Sequence, residues 1–383
     1  MTDSIYLDHN ASAPMLPQVA DAIREASLRF GANPASQHRA GQDARRALEN
    51  ARERIAELLG GKTTGMDADR LIFTSGGTEA NNLVLAGMLA SLAPGHLITS
   101  AIEHPAILEP VSQLESRGWR VTRIGVDGDG VVRVDELREA LCPETRLVSI
   151  MAANNETGVL QPLSQIAEAC LEHAVALHTD AAQLAGKLPA EFSQRSLTAL
   201  SCAAHKFHGP VGIGALLVRH DVQVAPQMWG GHQQAGVRPG TEMVALAVGM
   251  QVAMEAWHQD AEGRLERMKK FQMHFEEQIV AVIESATVIG KLARRLPNTS
   301  NIAFPDIDRQ PFFLALDQAG VACSTGSACA SGSSEASPVL EAMGLKKELV
   351  ESALRFSWGA TTVAAEIDEA CRRIIKAHKH LQR

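Results

Sequence analysis

The sequence predicts an α/β fold: a mixed, mostly parallel sheet sandwiched by helices, with a smaller α+β domain beside it. Three observations predict it. Helical and strand patterns alternate from Ala44 to Val218. Segments such as Leu71-Ile72-Phe73 and Gly214-Ala215-Leu216-Leu217-Val218 are apolar at every position rather than every second one, as in strands covered on both faces. Finally, 383 residues exceed the ~250–300 that one hydrophobic core serves, so two domains are expected.

The elements follow in order. Ala44, Ala47, Leu48, Ala51, Ile55, Leu58 and Leu59 recur at helical spacing and stop at Gly60-Gly61, a glycine-closed helix. Leu71 to Phe73 is a short buried strand, followed by a Gly-rich turn and an apolar helix from Glu79 to Ala90. Strands over His96–Ser100, Arg120–Val126, Arg146–Ala152 and Ala174–Thr179 alternate with helices over Ala106–Ser116, Val134–Leu141 and Pro162–His173. In such sheets, ligands bind at the carboxyl ends of the strands. Beyond Val218 the character changes: one long helical stretch from about Met243 to Ser285, short strands near Ala286–Ile289 and Asn301–Phe304, and an amphipathic helix around Val363, Ile367, Ala370 and Ile374.

Composition narrows the function class. With 45% hydrophobic and 21% charged residues the chain can bury a sizeable core. Its formal charge of −8, without a Lys/Arg block, argues against nucleic acid. The most apolar long stretch, Met243 to Trp257, is too short to span a bilayer and is interrupted by Gln251 and Glu255, so no membrane association is expected. Cys142, Cys170, Cys202, Cys323, Cys329 and Cys371 form no C-x-x-C pair and read as reduced thiols, and MTDSIYLDHN carries no basic-then-apolar signal, so the expected location is cytoplasmic.

Three features carry chemistry. The turn Thr74-Ser75-Gly76-Gly77-Thr78 lies between a strand and a helix, where free backbone N–H groups and hydroxyls favour a phosphate. A tight connection with a Thr N-cap is the alternative, and the turn matches neither G-x-G-x-x-G nor the P-loop. Asp180 ends an apolar strand, as a partner for a ligand cation or as a helix N-cap. Lys206 follows the apolar, small-residue run Leu200 to Ala204; an amine buried there suits Schiff-base chemistry, against the alternative of a surface lysine. No metal is expected, because His205 and His208 lack a third ligand at useful spacing. A phosphate cradle, a carboxylate for a ring cation and an amine for an aldehyde are together what pyridoxal phosphate requires.

The residues Tyr6-Leu7-Asp8-His9-Asn10-Ala11, Asn33 to His38, Phe73 to Asn82, Glu103-His104-Pro105, Asn154-Asn155-Glu156, His178-Thr179-Asp180, His205-Lys206, Arg238 to Glu242, Gly326-Ser327-Ala328-Cys329 and Arg355-Phe356-Ser357 stand in one order along nearly the whole chain. In these motifs the chain resembles the cysteine desulfurases of the iron-sulfur-cluster and nitrogenase-maturation type, class V aminotransferase-like pyridoxal phosphate enzymes of fold type I.

The resemblance implies the cofactor pyridoxal 5'-phosphate and a role for each matched position. Lys206 would bind the cofactor aldehyde, Asp180 the pyridinium nitrogen, and Gln183 the ring hydroxyl, with His104 stacked on the ring. Gly77, Thr78 and His205 would contact the phosphate, joined by Thr241 from the neighbouring subunit of a homodimer. Asn155 and Arg355 would hold the carboxylate of L-cysteine. Cys329 would take the sulfur as a persulfide, releasing L-alanine, and pass it to an acceptor protein such as an iron-sulfur scaffold or a thiolation relay. The Ser/Gly/Ala-rich setting of Cys329, with little to bury, predicts a mobile loop, and Cys323 reads as an ordinary buried thiol. The implied division is a large cofactor-binding domain over 16–255 and a small domain of 1–15 and 256–383 carrying that loop. A selenocysteine lyase, a related lyase or an aminotransferase on the same cofactor is the alternative activity.

The chain departs from the family pattern at Ala203, where a phosphate-contacting serine is common, and at Val211, where a lysine is frequent. It also stops at Arg383, where relatives devoted to scaffold-dependent cluster assembly often extend further.

Overall fold

A computed structural model of the chain describes residues 4–326 and 336–382. In order the chain forms β1 (Ile5–Tyr6), α1 (Pro17–Arg29), α2 (Arg39–Leu58), β2 (Arg70–Thr74), α3 (Gly77–Leu89), β3 (His96–Ser100), α4 (Pro105–Ser116), β4 (Arg120–Ile124), α5 (Val134–Ala140), β5 (Thr145–Ser149), α6 (Leu163–Glu172), β6 (Ala176–Asp180), β7 (Ala199–Ala203) and β8 (Gly214–Val218). There follow α7 (Val244–His258), α8 (Ala261–Val282), β9 (Thr287–Val288), β10 (Thr299–Ala303), α9 (Arg309–Gln318), β11 (Val321–Ala322), α10 (Pro338–Ala342), α11 (Lys347–Val350), β12 (Ala353–Ser357) and α12 (Ala364–Leu381).

Seven strands form the main sheet in the order β2-β8-β7-β6-β5-β3-β4. Only β8 runs against the others, pairing antiparallel with both β2 and β7. The sheet is therefore mixed and mostly parallel, as expected, and the uninterrupted apolar strands have the stated cause. Leu71, Phe73, Leu200, Cys202, Ala215 and Leu217 point into a core shared with α1, α2, α6 and α7. Ile72, Leu97, Leu147, Ala199, Leu216 and Val218 point into another beneath α3 and α4.

A further apolar cluster draws on both ends of the chain. Ile5 and Leu7 join Trp257, Phe271, Phe275, Phe304, Phe356, Trp358 and Ile374 around the antiparallel sheet β12-β10-β9 and the parallel pair β1-β11.

Two expectations are corrected. The single helix from Met243 to Ser285 is two, broken at Gln259-Asp260. The reason is the destination of each face: Val244, Ala247, Met250 and Met254 of α7 belong to the core under the main sheet, whereas Met268, Phe271, Phe275 and Ile279 of α8 belong to the other cluster. Lys206 does not end a strand either, for β7 stops at Ala203 and Lys206 sits in the 3-10 turn Ala204–Phe207. Among the described residues no helix is long and apolar enough to cross a membrane.

Candidate active site

A cavity of about 620 Å3 lies at the carboxyl ends of the parallel strands, where the topology places ligands. Its wall contains Gly77, Thr78, His104, Asn155, Asp180, Gln183, His205, Lys206 and Arg355 together. These nine sequence-predicted residues come from distant parts of the chain. Thr241 does not line this chain's cavity; it is exposed, just before α7. Cys329 lies outside the described residues, though Thr325 and Ala336 to Val339, on either side of that segment, are in the wall.

Each group is positioned by its element. Asp180 ends β6, nearly buried; its Oδ1 accepts from the N–H of Ala182 at 2.9 Å and its Oδ2 from Asn81 Nδ2 at 2.6 Å. Among the described residues no helix lies between β6 and β7, so Asp180 caps a turn rather than the helix considered from sequence, and its carboxylate lies in the cavity wall. His104 likewise caps α4, its Nδ1 accepting from the N–H of Ala106 at 3.0 Å, and still lines the cavity. Lys206 Nζ donates to the carbonyls of Asn10 at 2.8 Å and Ala11 at 2.9 Å.

The Gly-rich turn enters α3 with Gly76 at its N-cap, and Glu79 accepts from the N–H of Ser75 at 2.7 Å while pairing with Arg238 at 2.9 Å. A Cβ on Gly77 would stand 3.4 Å from the Cβ of Ala203. Behind the site Gly186 has φ +67°, and a Cβ there would lie 2.4 Å from the Cβ of Phe207. Only glycine lets the turn after β6 press against the Lys206 turn.

Arg355, which the resemblance assigns to the substrate carboxylate, is already engaged within the chain. In the middle of β12 it is 1% exposed. Its Nη2 donates to Asp8 Oδ1 at 2.6 Å, and its Nη1 to the carbonyls of Asn155 at 3.0 Å and Gly326 at 3.1 Å. A buried guanidinium has to satisfy its donors within the chain, and Nε alone has no acceptor among the described residues.

The chain matches the Aminotransferase class-V family over residues 5–369. It is 37% identical over 381 residues to a cysteine desulfurase IscS of Dictyoglomus turgidum, covering 98% of this chain and 95% of that one. To the cysteine desulfurase of Klebsiella pneumoniae it is 39% identical over 364 residues, covering 95% and 90%.

The chain belongs to the cysteine desulfurases of the class-V aminotransferase family.

Solved structures agree. A NifS-like protein superposes with a TM-score of 0.91 at 31% identity, covering 99% of this chain and all of that one, as 100% coverage. SspA in complex with cysteine superposes at 0.82 with 32% identity, covering 94% and 100%.

Within this desulfurase fold four residues matter that sequence reasoning gave no role. Asn10 is buried and bonded at every polar atom, and Asn81 holds Asp180. Glu103 Oε1 accepts from Ser100 Oγ at 2.5 Å and from the N–H of Met151 at 3.0 Å, while its Oε2, facing the cavity wall, has no partner among the described residues. Lys187 is buried behind Gln183. All but Lys187 fall inside the quoted motifs, so the signal was present; only the contacts assign the work.

The electrostatics keep most of these groups neutral. Burial lowers His9, His178 and His205 to about 4. Burial raises Glu103 to about 8, its two hydrogen bonds pulling it back and the charge of Asp180 adding to the rise.

The sign for Glu103 is fixed by linkage: between pH 4.5 and about 8 the unfolded chain loses this proton while the folded chain keeps it, so its contribution to stability falls as pH rises. Glu103→Gln keeps the acceptor for Ser100 and Met151 and removes the titration. Relative to wild type its unfolding free energy, read by denaturant titration, should gain steadily from pH 5 to 8, reaching on the order of 3 kcal/mol. A difference that does not vary with pH would mean that Glu103 ionises normally.

Proposed function

We propose that the chain is a cysteine desulfurase that takes L-cysteine as substrate and pyridoxal 5'-phosphate as cofactor, releases L-alanine, and passes the sulfur through a persulfide on Cys329 to an acceptor protein. The supporting observation is the convergence of Lys206, Asp180, His104 and the Gly77-Thr78 turn on one cavity.

The donor set fits the cofactor. A buried carboxylate, an amine, a helix N-terminus with glycines and a neutral imidazole are all present, and two buried oxygens in the wall, Asn81 Oδ1 and Glu103 Oε2, lack partners among the described residues. Lys206 would hold the aldehyde, Asp180 the ring nitrogen, Gln183 the ring hydroxyl and His104 the ring face. Gly77, Thr78 and His205 would hold the phosphate. Ser12 Oγ lies 3.3 Å from His205 Nδ1; with that hydroxyl donating, the proton of the neutral ring sits on Nε2 and is available to an anion. When bound, pyridoxal phosphate supplies an aldehyde for the substrate amine and an electron-withdrawing ring for charge left at the substrate's Cα.

The chain's own residues do the rest. Arg355 and Asn155 orient the substrate carboxylate, which would satisfy the buried Nε donor. Lys206, the amine that would hold the aldehyde at rest, would take the substrate's α-proton. Cys329 attacks the substrate sulfur as a thiolate: an S–S bond forms, the substrate C–S bond breaks, and its electron pair goes to the carbon that is protonated to give alanine. Cys323 is unsuited to that task, because burial pushes its thiol well above the usual range.

The solved relative in complex with cysteine supports the substrate, and the curated relatives named IscS support iron-sulfur assembly as a destination for the sulfur. The exposure of Thr241 outside its own cavity accords with a homodimer in which it serves the other subunit. The domain division 16–255 against 1–15 and 256–383 is supported by the cluster in which Ile5 and Leu7 pack with residues of α8, α9 and α12. The free thiols of Cys142, Cys170, Cys202, Cys323 and Cys371 accord with the cytoplasm.

Incubation with L-cysteine followed by peptide mass analysis should find one added sulfur on Cys329. Cys329→Ala should bind cofactor and cysteine yet give no multiple-turnover release of sulfide, and retained turnover would refute the assignment.

A further inference from the structure

Lys187, on the turn that follows β6, is 6% exposed and, among the described residues, forms no ion pair with a carboxylate. Its Nζ donates to Gln183 Oε1 at 2.8 Å and to Asn10 Oδ1 at 3.4 Å, both uncharged acceptors. The charged groups that act on it, Lys206 and Arg355, carry its own sign and add to burial in lowering its pKa well below the usual lysine value. A neutral amine has two N–H donors, and two acceptors are what it meets. Such a residue is costly to bury, and its contacts show what it holds.

Gln183 lines the cavity with both ends of its amide engaged: Oε1 accepts from Lys187, and Nε2 donates to the carbonyl of Asn10 at 3.0 Å. That same carbonyl accepts from Lys206 Nζ at 2.8 Å. Flipping the Gln183 amide would set two oxygens against each other at Asn10 and remove the acceptor from Lys187. One hydrogen of Gln183 Nε2 is left over for whatever fills the cavity.

Asn10 is fixed in turn. Its Oδ1 also accepts from Asn298 Nδ2 at 3.1 Å, its Nδ2 donates to Thr299 Oγ1 at 2.9 Å and to the Asn155 carbonyl at 3.2 Å, and its N–H donates to Ser357 Oγ at 2.9 Å.

On the reading of this cavity as a pyridoxal phosphate site, we propose that Lys187 is a positioning residue: it locks the Gln183 amide with a free N–H edge toward the cofactor ring and, through Asn10, holds the carbonyl that binds Lys206.

The test uses the reconstituted holoenzyme and reads the rate at which pyridoxal phosphate is released to a trapping protein, with the visible absorption maximum of the bound cofactor as a second readout. Lys187→Met keeps the length and apolar stem while removing both donors. Release should quicken about five- to tenfold, the loss of one net hydrogen bond, and the maximum should move. Gln183→Leu should quicken release similarly, and the double variant should exceed Gln183→Leu by less than about twofold, because the 2.8 Å bond to Gln183 outweighs the 3.4 Å bond to Asn10. Lys187→Gln, which retains an N–H donor, should stay within about twofold of wild type.

A double variant in which the two effects multiply, or a Lys187→Met protein with wild-type release and spectrum, overturns the role. So does a Lys187→Gln protein that releases as fast as Gln183→Leu, a comparison that stands even if Lys187→Met does not fold. A wild-type protein that takes up no pyridoxal phosphate overturns the cofactor site itself, which separates the two failures.

Discussion

A Lys206→Ala variant is expected to lose desulfurase activity by a factor of about 10³ or more and to give no borohydride-fixed adduct with pyridoxal phosphate. The expectation follows from where the amine is. Lys206 reaches the cavity from a short turn and is steered by the carbonyls of Asn10 and Ala11, while the carboxylate of Asp180 stands in the same wall. In the proposed function, alanine would remove both the covalent anchor and the base. The fold should survive: Asn10's carbonyl keeps the donor Gln183, and the turn itself is closed by backbone bonds to Ala204. Reduction followed by peptide mapping, beside a thermal melt, checks both halves. Cofactor fixed at another lysine, or near-normal turnover, would remove the foundation of the proposed function.

The second large effect belongs to Arg355, whose guanidinium is held by the fold and, in the proposed function, would also hold the substrate carboxylate. It is buried against Asp8, the carbonyls of Asn155 and Gly326, and a strand that pairs with β10. Arg355→Leu leaves the Asp8 carboxylate, whose side chain is 19% exposed, without its cation, and should cost about 3 kcal/mol of stability. Arg355→Lys keeps the charge but loses the planar fork. Its kcat/KM for cysteine should fall roughly 10²-fold, mostly through KM, with a smaller loss of stability. Steady-state kinetics and denaturant titration separate the two roles. A lysine variant with unchanged KM would assign Arg355 to the fold alone.

How far these residues could be read in advance depended on how local their signals are. The Gly-rich turn, Asp180 and Lys206 each follow an apolar strand, and a polar residue at that place is visible in one dimension. Arg355 was harder: it interrupts an apolar strand, and whether a lone arginine there meets solvent or a partly buried aspartate nearly 350 positions away is not written nearby. Asn10, Glu103 and Lys187 are polar residues in small-residue surroundings, and their roles exist only as contacts between distant segments. The break at Gln259-Asp260 was hidden for a related reason, since helical periodicity runs through it and only the two different cores on either side require the turn.

By itself the sequence determined the alternation of elements and the chemical types that converge on the cavity, because propensity, hydropathy and motif spacing are properties of neighbours along a chain. The tertiary structure decided which of those types meet, which are neutral and which are held in place. Burial and hydrogen-bond pairing set the charge of Glu103, the partners of Arg355 and the orientation of Gln183, and both depend on groups brought together only when the sheet and its helices close around the cavity.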